Sequence, residues 1–276
     1  MICAFRGWND AADAASAALT FVGTALGAAR FASISPEEFF DFQSTRPKIK
    51  LTEGRAREIT WPEIEIYEAR IPRAPRDLIL VSGPEPSMRW PTFCKTIIDL
   101  AEVLGVQLIV TLGALLADVP HTRPVNITGI GSDDALVERL GLGSANYEGP
   151  TGITGALHVV CDKAGLPSAS LWAAVPHYVA AAPNPKAALA LVRKLETLVG
   201  VSVDAADLES AAVEYERQVN LAVKADPDVQ AFVERLEEAA VEESEDVDPT
   251  DLPSGDVLAR EFQRFLRQRG PGDAGG

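Results

Sequence analysis

Five short stretches gather side chains that can bind ligands or move protons. The first, GWNDAADAAS at Gly7–Ser16, sets Trp8, Asn9 and Asp10 between a short apolar run and an alanine-rich one. Asn9 or Asp10 suits an N-cap, because a short side-chain oxygen accepts from the free amides of a helix's first turn. Asp13, three residues beyond Asp10, resembles the second half of a capping box, with Asp in place of Glu. Two carboxylates at the positive end of a helix argue against phosphate binding there. The stretch therefore reads either as punctuation between a strand and a helix or as a ligand contact through Trp8, Asn9 or Asp10. The second, SGPEPSMRW at Ser82–Trp90, holds Glu85 between two prolines and places Arg89 and Trp90 ahead of a helix. A carboxylate on so stiff a loop can act as a general acid or base, or can pair with Arg89.

The third stretch, ADVPHTRP at Ala117–Pro124, carries His121 and Arg123 two residues apart. Histidine shuttles protons near neutral pH, and arginine clamps carboxylates or phosphates. In an extended segment that spacing points the two to opposite sides. The fourth, YEGPTGITG at Tyr147–Gly155, puts Thr151 and glycines before a helix, a pattern suited to an amide nest. It lacks the Lys-Ser/Thr ending of a Walker motif. The fifth, VPHYVAAAPNP, carries His177 and Tyr178. With Asp10 and Glu85, the two loop histidines form a candidate mouth.

No reaction is specified by these residues. The chain has no G-x-S-x-G elbow, no HxH or HExxH zinc spacing, and no GxGxxG after an apolar strand. Cys94 and Cys161 fall on helices and read as packed thiols, and His158 on an apolar helix reads as structural. Catalytic residues are left unassigned, and neither a metal nor a cofactor is expected.

The elements that would position these loops alternate between strand and helix. Ile2–Phe5, Asp77–Val81, Val106–Leu112 and Ala169–Val175 are apolar runs with little alternation, as expected of parallel strands covered on both faces. A further strand is expected at Val125–Ile130. Helices are predicted over 11–29, Pro91–Leu104, Ile153–Ala164 and Lys186–Val199, with another near Asp134–Leu140. Residues 57–70 alternate, which suits the strands of a hairpin with Pro62 at an edge or bend. Beyond residue 200 only helices are expected, on apolar stripes at Leu208–Val219, Val229–Ala240 and Val257–Leu266. The expected fold is α/β, a three-layer α/β/α sandwich with a mostly parallel sheet and C-terminal helices, whose ligands would lie beyond the strands' carboxyl ends. Its divisions are a core over 1–200, a helical extension over 201–243, and an acidic linker, short helix and flexible tail over 244–276.

The chain has 276 residues, 47% of them hydrophobic, enough for one sizeable core. Its net charge of −15 is uneven. From Asp204 to Asp251, sixteen carboxylates face only Arg217, Lys224 and Arg235, a local −13. Such a surface repels nucleic acid and anionic membrane, and reads as solvated helix faces or as a docking surface for a basic partner. Three scattered cysteines, with neither a signal peptide nor a membrane-length apolar run, point to the cytoplasm.

Taken in order, GWNDAADAAS, DFQSTRPKI, SGPEPSMRWPTF, LADVPHTRPVNITG, EGPTGITGAL and LWAAVPHYVAAAPNPKAALALV resemble the proteasome assembly chaperone two family, in its actinobacterial branch. The resemblance spans roughly residues 1–243. It implies a core similar to nucleoside phosphorylases without their catalytic set, and self-association as a trimer. It also implies proteasome subunits as partners, since relatives in eukaryotes and archaea help assemble proteasome rings. Archaeal relatives grip those rings with a hydrophobic–tyrosine–any-residue tail, whereas this chain ends GDAGG. The expectation is a non-enzymatic, protein-binding oligomer. The alternative is a small-molecule binder or hydrolase-like enzyme that uses the loops at the strand ends.

Overall fold

Central strands that are apolar on both sides can be stable only between two layers of helices, and that is where they lie. The computed structural model describes residues 1–52, 56–72, 74–133, 136–138, 148–179 and 182–245. Its elements are β1 (Ile2–Arg6), α1 (Ala14–Ala25), β2 (Ala29–Ile34), β3 (Lys48–Thr52), β4 (Ala56–Thr60) and β5 (Ile64–Ala69). They continue with β6 (Leu78–Pro84), α2 (Trp90–Val103), β7 (Ile109–Ala117), β8 (Ile127–Gly131), α3 (Ile153–Lys163) and β9 (Ser168–Pro176). Three helices follow: α4 (Pro185–Val199), α5 (Ala206–Ala225) and α6 (Pro227–Glu245).

A seven-stranded sheet runs in the order β2-β5-β6-β1-β7-β9-β8. β6, β1, β7 and β9 are parallel, while β5 and β8 flank them antiparallel and β2 runs against β5. Side chains alternate across each strand. Ile2 and Ala4 therefore join α1 and α4 on one face, and Cys3 and Phe5 join α2 and α3 on the other. The first face is packed closely because small residues meet: Ala14, Ala15 and Ala18 of α1 and Ala187 and Ala188 of α4 are fully buried. On the second face Phe93 is gripped edge-on by Phe5 and Phe39, with centroids at 5.6 and 5.4 Å. Gly113 in β7 leaves room for Trp172, since a Cβ there would lie 2.6 Å from the indole.

Several sequence expectations change. The predicted helix over 11–29 is shorter, because Ala12 and Asp13 take left-handed conformations and break Ala11–Asp13 into a separate 3-10 turn ahead of α1. The alternating run over 57–70 does form two strands, but they do not pair with each other. β4 pairs with β3 in a separate two-stranded sheet, and β5 joins the main sheet between β2 and β6. Alternation marks a half-buried strand without naming its partner. The apolar strand expected at Val106–Leu112 starts later and runs on to Ala117. The predicted helix near Asp134–Leu140 falls largely outside the described residues, as do the stripe at Val257–Leu266, the acidic linker and the tail. The stripes at Leu208–Val219 and Val229–Ala240 are α5 and α6.

Phe93→Ala removes a ring held by two others and leaves a cavity between sheet and helices. It should cost about 3–5 kcal/mol in urea unfolding. A loss below about 1 kcal/mol would contradict the packing described.

Candidate functional site

The loops at the carboxyl end of the sheet make two separate polar assemblies. The first is built around Asn9. After β1, Gly7 takes a positive φ of 141° and turns the chain so that Asn9 is fully buried. The Asn9 carbonyl accepts from Ala114 N at 2.8 Å, and Asp10 forms a single parallel bridge to Ala114. The Asn9 amide donates Nδ2–H to Glu85 Oε1 at 2.5 Å, and its Oδ1 accepts from Thr154 Oγ1 at 3.1 Å. Glu85 Oε1 also accepts from Ile153 N at 2.8 Å. Ile153 is the first residue of α3, whose N-cap, Gly152, offers no side chain. Glu85 therefore caps α3 from a distant loop, with its charge against the positive end of the helix.

This arrangement explains the glycine in PTGITG. A Cβ on residue 152 would sit 2.0 Å from Asn9 Oδ1. Thr151 is exposed and packs its Oγ1 over Gly155. The amide of Ile153, which an outside anion would need in a nest, is held by the chain's own carboxylate. Glu85 does not pair with Arg89, which instead meets Glu38 at 3.0 Å on the surface. The loop after β6 points Glu85 inward and Arg89 outward, because Arg89 takes a left-handed conformation at the start of α2. Trp90 donates its indole N–H to Pro86 O at 2.6 Å, closing the same loop. Trp8, next to the buried Asn9, is exposed.

Asp10 caps α1, though not from the N-cap position. Its Oδ1 accepts from Ala15 N at 2.7 Å, and the carboxylate reaches Ser16 N at 3.3 Å, across the intervening 3-10 turn. Burial raises its pKa above the ordinary carboxylate value, against the pull of the donors from Ser16 and Ala15. Asp13 occupies the N-cap position itself and makes no capping hydrogen bond.

The second assembly lies where the Ala117–Pro124 loop meets the C-terminal helices. His121 Nδ1 and Tyr178 Oη are 2.7 Å apart, and the same hydroxyl accepts from His121 N at 2.7 Å. Since the hydroxyl accepts there, its own hydrogen is free for Nδ1, which leaves Nε2–H to donate to Asn220 Oδ1 at 3.3 Å. Lys186 Nζ donates to the His121 carbonyl and to Glu216, each at 2.5 Å. Arg123 Nε meets Glu237 at 2.7 Å, and Thr122 donates to the same carboxylate. The extended geometry expected for this stretch would have parted His121 and Arg123. Residues 121–123 instead turn and deliver both to the helices, His121 to α5 and Arg123 to α6. His177 sits beside them, with Nδ1 2.8 Å from Asp118 and its ring edge-on to Tyr178 and Phe232.

No hydrogen bond or ion pair among the described residues joins the Asn9–Glu85 assembly to the His121–Tyr178 one. Asp10 and Glu85 are tied to helices α1 and α3, His121 and His177 to the α5–α6 side. Thr154, Lys186, Asn220, Glu216 and Glu237 complete the two assemblies and were not legible in the sequence, because each pairs with a residue at least 30 positions away. Elsewhere, His158 Nδ1 lies 2.9 Å from Ser168 Oγ beneath α3. Burial pushes the Cys3 and Cys161 thiols up to about 12 and the Cys94 thiol to about 11, values of packed rather than reactive sulfur. Among the described residues, no three His, Cys, Asp or Glu stand together as metal ligands, and no helix is long and apolar enough to cross a membrane.

Comparison with known proteins places this architecture. A model of the PAC2 family matches residues 4–223. A Streptomyces avermitilis PAC2 family protein is 46% identical, covers 84% of this chain and 98% of its own, and superposes with a TM-score of 0.79. A Mycobacterium tuberculosis protein described as a proteasome-assembly chaperone homologue is 42% identical, with the same coverage and TM-score. The archaeal proteasome activator PbaB of Pyrococcus furiosus shares the fold at 17% identity and a TM-score of 0.64, covering 80% of this chain and 92% of its own. No curated protein matches the sequence significantly.

Gly152→Ala forces Asn9 out of its place and should destabilise by about 2–4 kcal/mol, a buried polar group losing its partners. A melting temperature equal to the parent's would refute the contact. For His121, burial holds the imidazole below its ordinary value, with Lys186 adding to the effect and Asn220 opposing it. Such a base takes up its proton more readily unfolded, so stability rises with pH between the folded value and about 6.5 and falls as pH drops through that window. Hydrogen exchange corrected for intrinsic rates should show α5 and α6 less protected at about pH 5.5 than at about pH 7.5. His121→Asn should abolish the difference; equal protection of the parent at both pH values would refute the coupling.

Proposed function

The chain belongs to the PAC2 family, and on that footing we propose that it is a non-enzymatic, protein-binding homo-oligomer, a trimer, acting as an assembly chaperone for proteasome subunits. The observation that carries this reading is the division of labour at the carboxyl end of the sheet. The polar side chains there are taken up in the chain's own capping and latching bonds: Asn9, Glu85 and Thr154 in one assembly, His121, Arg123 and Tyr178 in the other. Beside these, large apolar side chains reach solvent at the rim. Trp8 is 66% and Leu116 54% exposed, and Leu115 and Met88 are exposed on the same end. Large aromatic and aliphatic groups exposed on a rigid frame are the usual anchors of protein interfaces. The Mycobacterium tuberculosis relative described as a proteasome-assembly chaperone homologue supports a proteasome subunit as partner. Three buried free thiols suit a reducing cytoplasm.

A second reading, a small-molecule or hydrolase-like site, draws on the half-exposed His177–Asp118 pair at 2.8 Å. A histidine oriented by a carboxylate is half of a general-base device.

The two are separated by binding of purified actinobacterial proteasome α and β subunits. Trp8→Ala with Leu116→Ala should weaken that binding about 30-fold, as loss of a hot spot of about 2 kcal/mol does. His177→Ala should leave it unchanged. No binding by the parent chain, or equal binding by the Trp8/Leu116 variant, would overturn the chaperone reading.

A further inference from the structure

A cavity of about 940 Å³ opens at the amino end of the sheet, opposite the rim. Ile2 of β1, Leu78 of β6 and Val110 of β7 line it, with Leu136 and Leu198 beside them. All five are buried. The volume is that of a small-molecule site, since ligand pockets run from about 300 to 1,000 Å³ and are mostly apolar. Water against such walls finds few hydrogen-bond partners, so an apolar body gains by displacing it.

The polar part of the lining has a sign. α2 ends at the cavity through Leu104 and Gly105, and α4 through Leu198 and Val199, so the negative ends of two helix dipoles meet there. Glu68, Asp77 and Asp133 add carboxylates. Asp77 Oδ1 accepts from Ile71 N at 2.9 Å and Asp133 Oδ1 from Leu136 N at 2.8 Å, each bond using one oxygen of its carboxylate. Glu68 meets Arg70 at 3.3 Å in a surface pair. The cations among the described lining residues are Arg76 and the Met1 ammonium, and the ammonium donates to the Leu108 carbonyl at 2.8 Å. Three carboxylates and two helix carboxyl ends outweigh them, so a cationic head is attracted to the cavity and an anionic one repelled.

We propose that this cavity binds a small apolar molecule carrying one ammonium group, its hydrocarbon body against Ile2, Leu78 and Val110 and its head toward Asp77 and Asp133. The site lies at the far end of the sheet from the surface assigned to the protein partner, and the two readings are independent.

Titration calorimetry of the full chain near neutral pH, with 1-octylamine, 1-octanol and octanoate as probes of equal length, tests this. The amine should bind about tenfold more tightly than the alcohol, and the alcohol more tightly than the carboxylate. Asp77→Asn with Asp133→Asn keeps the oxygens that cap Ile71 and Leu136, and should bring the amine down to the affinity of the alcohol. Leu104→Trp, at a position 40% exposed at the mouth, should abolish binding of all three. Melting temperatures within a few degrees of the parent's exclude misfolding. No binding of any probe by the parent at about 1 mM would overturn the site. Octanoate binding as tightly as the amine, or an Asp77/Asp133 variant that keeps the preference, would overturn the ammonium head. Undiminished binding by folded Leu104→Trp places the probes elsewhere and overturns the cavity.

Discussion

One carboxylate organises the carboxyl end of the sheet. Glu85, on the stiff loop after β6, holds both the buried amide of Asn9 and the first free N–H of α3. Three elements distant in sequence thereby share one node: the turn after β1, the loop after β6 and the helix before β9. A buried amide without a partner costs about as much as the bond it loses, so each member of the node requires the others. The same requirement dictates the backbone around it. Residue 152 must be glycine because Asn9 fills the space of a side chain, and Gly7 must accept a positive φ to bring Asn9 inward.

The node also decides what this end of the molecule can do. In a parallel α/β sheet, helix amino ends and strand carboxyl ends meet at one rim, and that rim commonly receives anions. Here the chain's own acids are already there, Asp10 at α1 and Glu85 at α3. Their polar capacity is spent on structure, and Trp8, Leu115 and Leu116 face outward beyond them. The two helix ends are thus satisfied from within the chain, and the groups left at the edge are a mixture of large apolar side chains and surface ion pairs such as Arg89–Glu38 and His177–Asp118.

The helical extension is held differently. α5 and α6 share a small apolar cluster centred on Val219, Val223 and Val233, reinforced by Tyr178 and Tyr215. Around it run Arg123–Glu237, a partly exposed pair of the kind that contributes little individually, and Lys186–Glu216, which is more buried. His121 is the buried exception, bonded through both ring nitrogens. The extension is also joined to the core through α5, where Leu208 packs against the first face of the sheet and Ala212 is buried. Its outer surface keeps the acidic charge that dominates the whole chain.

The sequence by itself determined the α/β core. Short apolar runs without alternation, set between helical patterns, read as strands covered on both faces, and Pro91 early in α2 suits a helix start by local chemistry alone. The motifs also carried the family resemblance. Only the tertiary structure decided which strands pair, because alternation is the same whether β4 meets β5 or β3. Likewise, their spacing pointed His121 and Arg123 to opposite sides until the turn at residues 121–123 and the return of α5 and α6 supplied Asn220 and Glu237. The physical reason is range. Capping and periodicity act within a few residues and are written locally, whereas a buried hydrogen bond such as Asn9–Glu85 joins residues 76 positions apart and exists only once the chain has closed on itself.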